Sequence, residues 1–141
     1  MIVKQVSVFL ENKPGRLAEI TGIIAEAGVN IRSLSIADTT NFGILRLIVE
    51  DPVKVDTALK KNGMTVSITS VLAVCVEDKP GGLAEIIAVL DSANVNVEYM
   101  YAFVSSDTSS KAYVVMRIEE DAKAQEVLSK AGYKGPEDSE Q

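Results

Sequence analysis

The sequence predicts an α+β protein made of two βαββαβ units in tandem, each an antiparallel sheet with two helices on one face. Three observations lead there. The stretch Glu11-Asn-Lys-Pro-Gly-Arg-Leu-Ala-Glu-Ile20 returns as Glu77-Asp-Lys-Pro-Gly-Gly-Leu-Ala-Glu-Ile86 at a constant offset of 66 positions, which persists through Ala27/Ala93, Val29/Val95 and Asn30/Asn96. Apolar residues alternate at a period of two before each copy and recur at three and four residues after it. No Gly, Pro or Asn/Asp cluster interrupts Met64 to Val76 between the copies, so the halves follow one another without a linker. The expected boundaries are 1–70 for the first domain and 71–134 for the second, with 135–141 as a disordered acidic tail.

The elements follow in order. Ile2 to Leu10 reads as a strand with Val6, Val8 and Leu10 on one face. Asn12-Lys-Pro-Gly breaks it, and Pro14 is placed in the first turn of a helix, where its missing N–H costs nothing. Leu17, Ile20, Ile23, Ile24 and Ala27 form the buried stripe of that helix, and Gly28 ends it. Asn30 to Ala37 and Phe42 to Glu50 form a hairpin across Asp38-Thr-Thr-Asn41. Asp51 caps the next helix with Pro52 in first position; Val55, Ala58 and Leu59 are its apolar side, and Asn62-Gly63 closes it.

Met64 to Val76 must hold the fourth strand of the first unit and the first strand of the second. The second unit repeats the plan: a helix from Pro80 to Ala93 with Leu83, Ile86, Ile87 and Leu90 inward, strands Val95 to Val104 and Lys111 to Glu119, and a helix from Asp121 to Ala131. Its hairpin loop, residues 105–110, is wholly polar and expected to be mobile. No obvious fourth strand follows the last helix. Either a stub after Gly132 or another segment must cover that edge, because a bare edge invites aggregation.

Composition narrows the function. The chain has no histidine and one cysteine, Cys75, so no nucleophile–base pair, metal site or cofactor is implied and an enzyme is not expected. Residues 1–70 carry eight basic and seven acidic side chains (+1), residues 71–141 six and thirteen (−7), which excludes the clustered cations of a nucleic-acid binder. No apolar run approaches a membrane span, the amino terminus lacks a secretory pattern, and the unpaired cysteine suits a reducing compartment; the expected location is cytoplasmic.

The Pro-Gly turns are the leading candidates for binding. Gly15 and Gly81 let backbone approach a ligand, and the N–H groups that follow favour an anion; equally, each turn can simply join strand to helix. Arg16 offers a guanidinium to a carboxylate, whereas its counterpart Gly82 leaves room and one fewer charge. Asn30 and Asn96 open the second strands, where an amide can cap a turn or contact a ligand. Tyr99, Tyr101 and Phe103 share one face of their strand and mark a candidate interface.

The duplicated βαββαβ order, the Asn12/Asp78-Lys-Pro-Gly-x-Leu motif and the pair Gly28-Val-Asn30-Ile31 and Asn94-Val-Asn96-Val97 resemble the ACT domain family, regulatory modules of ferredoxin-like fold attached to aspartate kinase and other amino-acid enzymes. The resemblance implies a regulatory protein that senses a free amino acid at inter-domain sites and modulates a partner enzyme or its own assembly. It implies binding residues Asn12, Lys13, Pro14, Gly15, Arg16, Leu17, Asn30 and Ile31 in the first copy, and Asp78, Pro80, Gly81, Gly82, Leu83, Asn96 and Val97 in the second. A homodimer without nucleic-acid or membrane partners is expected, and a ligand-free dimerisation module is the alternative.

Overall fold

The computed structural model describes residues 1–38, 41–104 and 111–136. Residues 39–40 of the first hairpin turn, the polar loop 105–110 and the acidic segment from 137 onward lie outside the described residues. Contacts divide the chain into two compact units: one from Lys4 to Thr69, the other from Ser70 onward together with Met1–Val3.

In the first unit, β1 (Ile2–Glu11), β2 (Ile31–Asp38) and β3 (Phe42–Val49) form an antiparallel sheet with β3 in the middle. The register pairs Val6 with Leu47 and Val8 with Leu45, so these four residues share a face. On that face lie α1 (Arg16–Glu26) and α2 (Pro52–Lys61), which contribute Ile20, Ile24, Val55 and Leu59 to one closed core. Each such side chain contributes about 1.5–3 kcal/mol on burial. Asp51 caps α2 as expected, its Oδ1 accepting the Lys54 N–H at 3.2 Å, with Pro52 in the first helical position. The fourth strand is the beginning of β4 (Val66–Glu77); just before it, Thr65 O accepts the Phe9 N–H at 2.9 Å.

The second unit repeats the architecture. Here β6 (Lys111–Ile118) lies between the remainder of β4 and β5 (Val97–Val104). Leu72, Val74, Val114 and Met116 face α3 (Gly82–Ser92) and α4 (Asp121–Lys130), which supply Ile86, Leu90, Ala124 and Leu128. The expected fourth strand is replaced by a composite. The Cys75 N–H donates to Lys134 O at 2.8 Å, and the Ala73 N–H donates to Met1 O at 2.9 Å. Gly135 stands where the two pieces meet, so close to the Met1 backbone that a Cβ would collide with it. Both routes anticipated for covering this edge are used, one after the other.

Helix ends follow local chemistry. At the end of α1, Val29 N–H reaches Ile24 O and Gly28 N–H reaches Ala25 O, the paired bonds of a Schellman motif. In α3 the same pair runs from Val95 to Leu90 and from Asn94 to Asp91, with Asn94 at φ 57° in the role that Gly28 fills in α1. One expectation is corrected at the other end. Pro14 and Pro80 are not helical; the helices start at Arg16 and Gly82.

Opposite the helices, each sheet carries aromatic residues. Tyr99, Tyr101 and Phe103 pair with Arg117, Val115 and Tyr113, on the side away from Met100 and Met116, and Phe103 stacks on Tyr113 with ring centroids 5.2 Å apart. The first unit has its own stack on this side, Phe9 with Phe42 at 5.0 Å, both about half exposed. Among the described residues no helix is long and apolar enough to cross a membrane.

Candidate functional site

Each Lys-Pro-Gly sequence folds into a four-residue turn that delivers the chain from a strand to a helix. The Arg16 N–H bonds Lys13 O at 3.4 Å, and the Gly82 N–H bonds Lys79 O at 3.0 Å. Gly15 (φ 88°, ψ −15°) and Gly81 (φ 85°, ψ −10°) occupy the third position of these turns. Proline second and a left-handed residue third define a type II turn, which only glycine enters without steric cost. That turn is why the prolines stay outside the helices. It also makes a glycine the N-cap of α1 and α3, so no side chain caps either helix.

The missing caps leave donors available. Glu19 N–H returns to Gly15 O and Glu85 N–H to Gly81 O, both at 3.0 Å. Between these bonds and the turn bonds lie the amides of Leu17 and Ala18 in α1 and of Leu83 and Ala84 in α3, first-turn N–H groups that have no carbonyl of their own helix to reach. The helix dipole adds partial positive charge at the same place.

The charged residues differ between copies. Arg16 is engaged with Glu19 at 3.2 Å and Glu11 at 3.8 Å, and Lys13 Nζ lies 2.9 Å from Glu11. The hydrogen bond from Lys13, then its charge and that of Arg16, hold the Glu11 carboxyl below its ordinary range. In the second copy Lys79 pairs with Glu77 at 3.0 Å; that hydrogen bond, then the charges of Glu77 and Glu85, push the ammonium above its ordinary range. Gly82 does not leave free room, contrary to the expectation. It is buried, and a Cβ there would be driven into the carbonyl oxygen of Glu77.

The remaining candidates are placed as follows. Asn12, Pro14, Asp78 and Pro80 are exposed, and the Asn12 N–H donates to Asn41 O at 3.1 Å. Leu17 and Leu83, expected in the buried stripes, are 39% and 48% exposed, because one residue past the turn the helix has not yet reached the sheet. Asn30 and Asn96 are exposed, while Ile31 and Val97 pack partly against their cores. Within a unit the turn and the strand-start asparagine do not meet. Glu11 pairs with Phe42 and Ile31 with Val49, at opposite ends of β3, about 23 Å apart at 3.3 Å per residue. Glu77 with Lys111 and Val97 with Ile118 repeat this separation in the second unit.

Comparison with known proteins decides the family. A family model described as an ACT domain pair matches residues 1–136. The chain belongs to this family. ACT domains are regulatory rather than catalytic modules. Among solved structures, protein BT0572 from Bacteroides thetaiotaomicron is 42% identical, with a TM-score of 0.89 over 95% of this chain and 91% of that one. The regulatory subunit of aspartate kinase from Thermus thermophilus, in a ligand-free form, shares the fold at 13% identity, with a TM-score of 0.65 and coverage of 93% and 97%. The corresponding subunit from Thermus flavus is 15% identical, with a TM-score of 0.63 and coverage of 93% and 95%. No curated protein matches the sequence significantly. The sequence reading missed the Phe9–Phe42 stack of this ACT pair. The signal was available, since both rings sit at outward positions of adjacent strands.

Proposed function

We propose that this ACT domain pair is a regulatory protein that binds a free amino acid at sites built on its two Pro-Gly turns, and that occupancy modulates a partner enzyme or the protein's own assembly. The observation that carries the reading is the repeated type II turn, with its glycine N-cap and uncapped amides at Leu17, Ala18, Leu83 and Ala84. Such a helix start accepts a carboxylate, and the neighbouring exposed leucine supplies an apolar contact. The asparagine amides of Asn30 and Asn96 suit a zwitterion, able to donate to a carboxylate and accept from an ammonium. Because turn and asparagine are far apart within a unit, no single small ligand held by one unit touches both.

The copies are not equivalent. Arg16 can meet a ligand carboxylate only by sharing or leaving Glu11 and Glu19, and the second copy has no such cation at Gly82. The proposal includes a homodimer through the helix-free face and a cytoplasmic location. Its test is a melting-temperature screen against the twenty amino acids. A ligand at 100 times its dissociation constant adds about 2.7 kcal/mol. No shift with any amino acid at millimolar concentration, together with no heat by calorimetry, would sink the binding claim.

A ligand-free dimerisation module is the second reading. It is favoured by the exposed stack of Phe9 and Phe42 beside Ile44, 39% exposed, on the same face. Under it, sedimentation would report a dimer whose stability no amino acid alters.

A further inference from the structure

Beside the second Pro-Gly turn, the unit beginning at Ser70 holds an open cavity of about 580 Å³. Small-molecule sites fall in the range of roughly 300–1,000 Å³. The cavity exists because the composite fourth strand starts late. Lys134 stands opposite Cys75, and among the described residues none continues the strand alongside Glu77. Amide directions alternate along a strand, and Ala73 and Cys75 both donate to this side. The Glu77 N–H therefore points to it too, toward the place a longer strand would have filled.

Side chains around the cavity carry an excess of positive charge. Lys79 and Glu77 neutralise each other at 3.0 Å. Lys111 and Lys134 line the wall with no acidic partner among the described residues, against one remaining carboxylate, Glu85. Tyr133 adds a phenol whose pKa is raised by burial and then by Glu85, so it stays a neutral O–H donor through the physiological range. Two ammonium groups, a backbone N–H and a phenol are all donors. Such a set takes an anion with several acceptor lone pairs.

We propose that this cavity binds a small organic carboxylate, held by Lys111, Lys134 and the Glu77 N–H. The cavity adjoins the second Pro-Gly turn, whose Lys79 and Gly82 also line it, while the ligating groups come from the β4 end, the β6 start and the segment after α4, all within one unit. Glu85 sets the selectivity. It repels a second carboxylate and disfavours the higher charge of a phosphate.

The test is titration of the isotope-labelled protein with L-alanine, propionate and inorganic phosphate, followed by amide resonances. At least one carboxylate should saturate with the largest shifts at Glu77 and Tyr133. Lys111→Gln combined with Lys134→Gln should weaken it at least about tenfold, while Lys61→Gln, at an exposed lysine of α2, leaves it unchanged. Should the double variant melt early, Lys134→Gln alone carries the comparison. Three results would overturn the proposal: no binding of either carboxylate at tens of millimolar, phosphate binding as tightly as both, or affinity that survives loss of the lysines. Loss of binding at Arg16→Gly with retention in the lysine variants would instead assign the carboxylate to the first Pro-Gly turn.

Discussion

The amide of Ala73 donates to the carbonyl of Met1 at 2.9 Å, which fixes the first residues of the chain to the sheet edge of the second unit. Ala73 is 2% exposed with Met1 in place, so removing that partner uncovers its N–H to water. Deleting residues 1–3 should cost about 0.5–1.5 kcal/mol, the net worth of a hydrogen bond exchanged for one to solvent. Native-state hydrogen exchange reads the effect: the Ala73 amide should lose protection while Leu47 in the first unit keeps it. Equal protection at Ala73 in both forms would remove the strand role of Met1.

Gly82 and Arg16 occupy equivalent places in the repeat but should respond to substitution to different extents. Gly82→Ala forces a methyl against the Glu77 carbonyl and should destabilise by about 1–3 kcal/mol. Arg16→Gly removes partly exposed ion pairs and should change stability in the absence of ligand by about 1 kcal/mol or less. Urea denaturation midpoints compare the two directly. A wild-type midpoint for Gly82→Ala would mean that the turn relaxes to accept a side chain.

Two helix caps offer another contrast. Asp51→Ala removes the acceptor of the Lys54 N–H and should cost roughly 0.5–2 kcal/mol. Glu120, the N-cap of α4, makes no side-chain cap bond. Glu120→Asp should therefore stabilise, by up to about 1 kcal/mol. Thermal melts of both variants should move in opposite directions.

The turn charges predict two pH effects of opposite sign. The folded Glu11 carboxyl lies below its ordinary value of 4.5, so its contribution is present above that value and lost as pH falls through the folded pKa. Lys79 lies above its ordinary value of 10.5, so its contribution is complete below that value and lost as pH rises through the folded pKa. Both groups face solvent, and salt should weaken both effects. Titration of the Glu11 side-chain resonance should give a midpoint that rises in Lys13→Ala; an unmoved midpoint would show that Lys13 does not hold the carboxylate.

The repeat made the fold legible, because a constant offset carries strand, turn and helix together. Caps were legible where one side chain decides them, as at Asp51 and Gly28. The helix starts were misjudged because Pro14 suits both a first helical turn and the second place of a type II turn; Gly15 settles the choice through its positive φ. Leu17 and Leu83 continued the apolar stripes in register, but periodicity says nothing about where along its axis a helix meets the sheet. Gly82 read as an omission of Arg16, since nothing in the sequence locates the Glu77 carbonyl. The composite strand was hidden for a related reason. Sequence patterns report the face a residue occupies, not the edge it pairs with.

The two-piece strand also sets a timetable for synthesis. The first unit draws all its strands from Lys4 to Thr69, so its sheet can close once those residues are made. The second must wait for Lys134, and it keeps Met1–Val3 unpaired until Ala73 has emerged. Until β4 is made, residues 1–3 are therefore a strand without this neighbour. Chains generally fold in domains from the amino end. Here residues 1–3 are placed only after the unit that follows them can close.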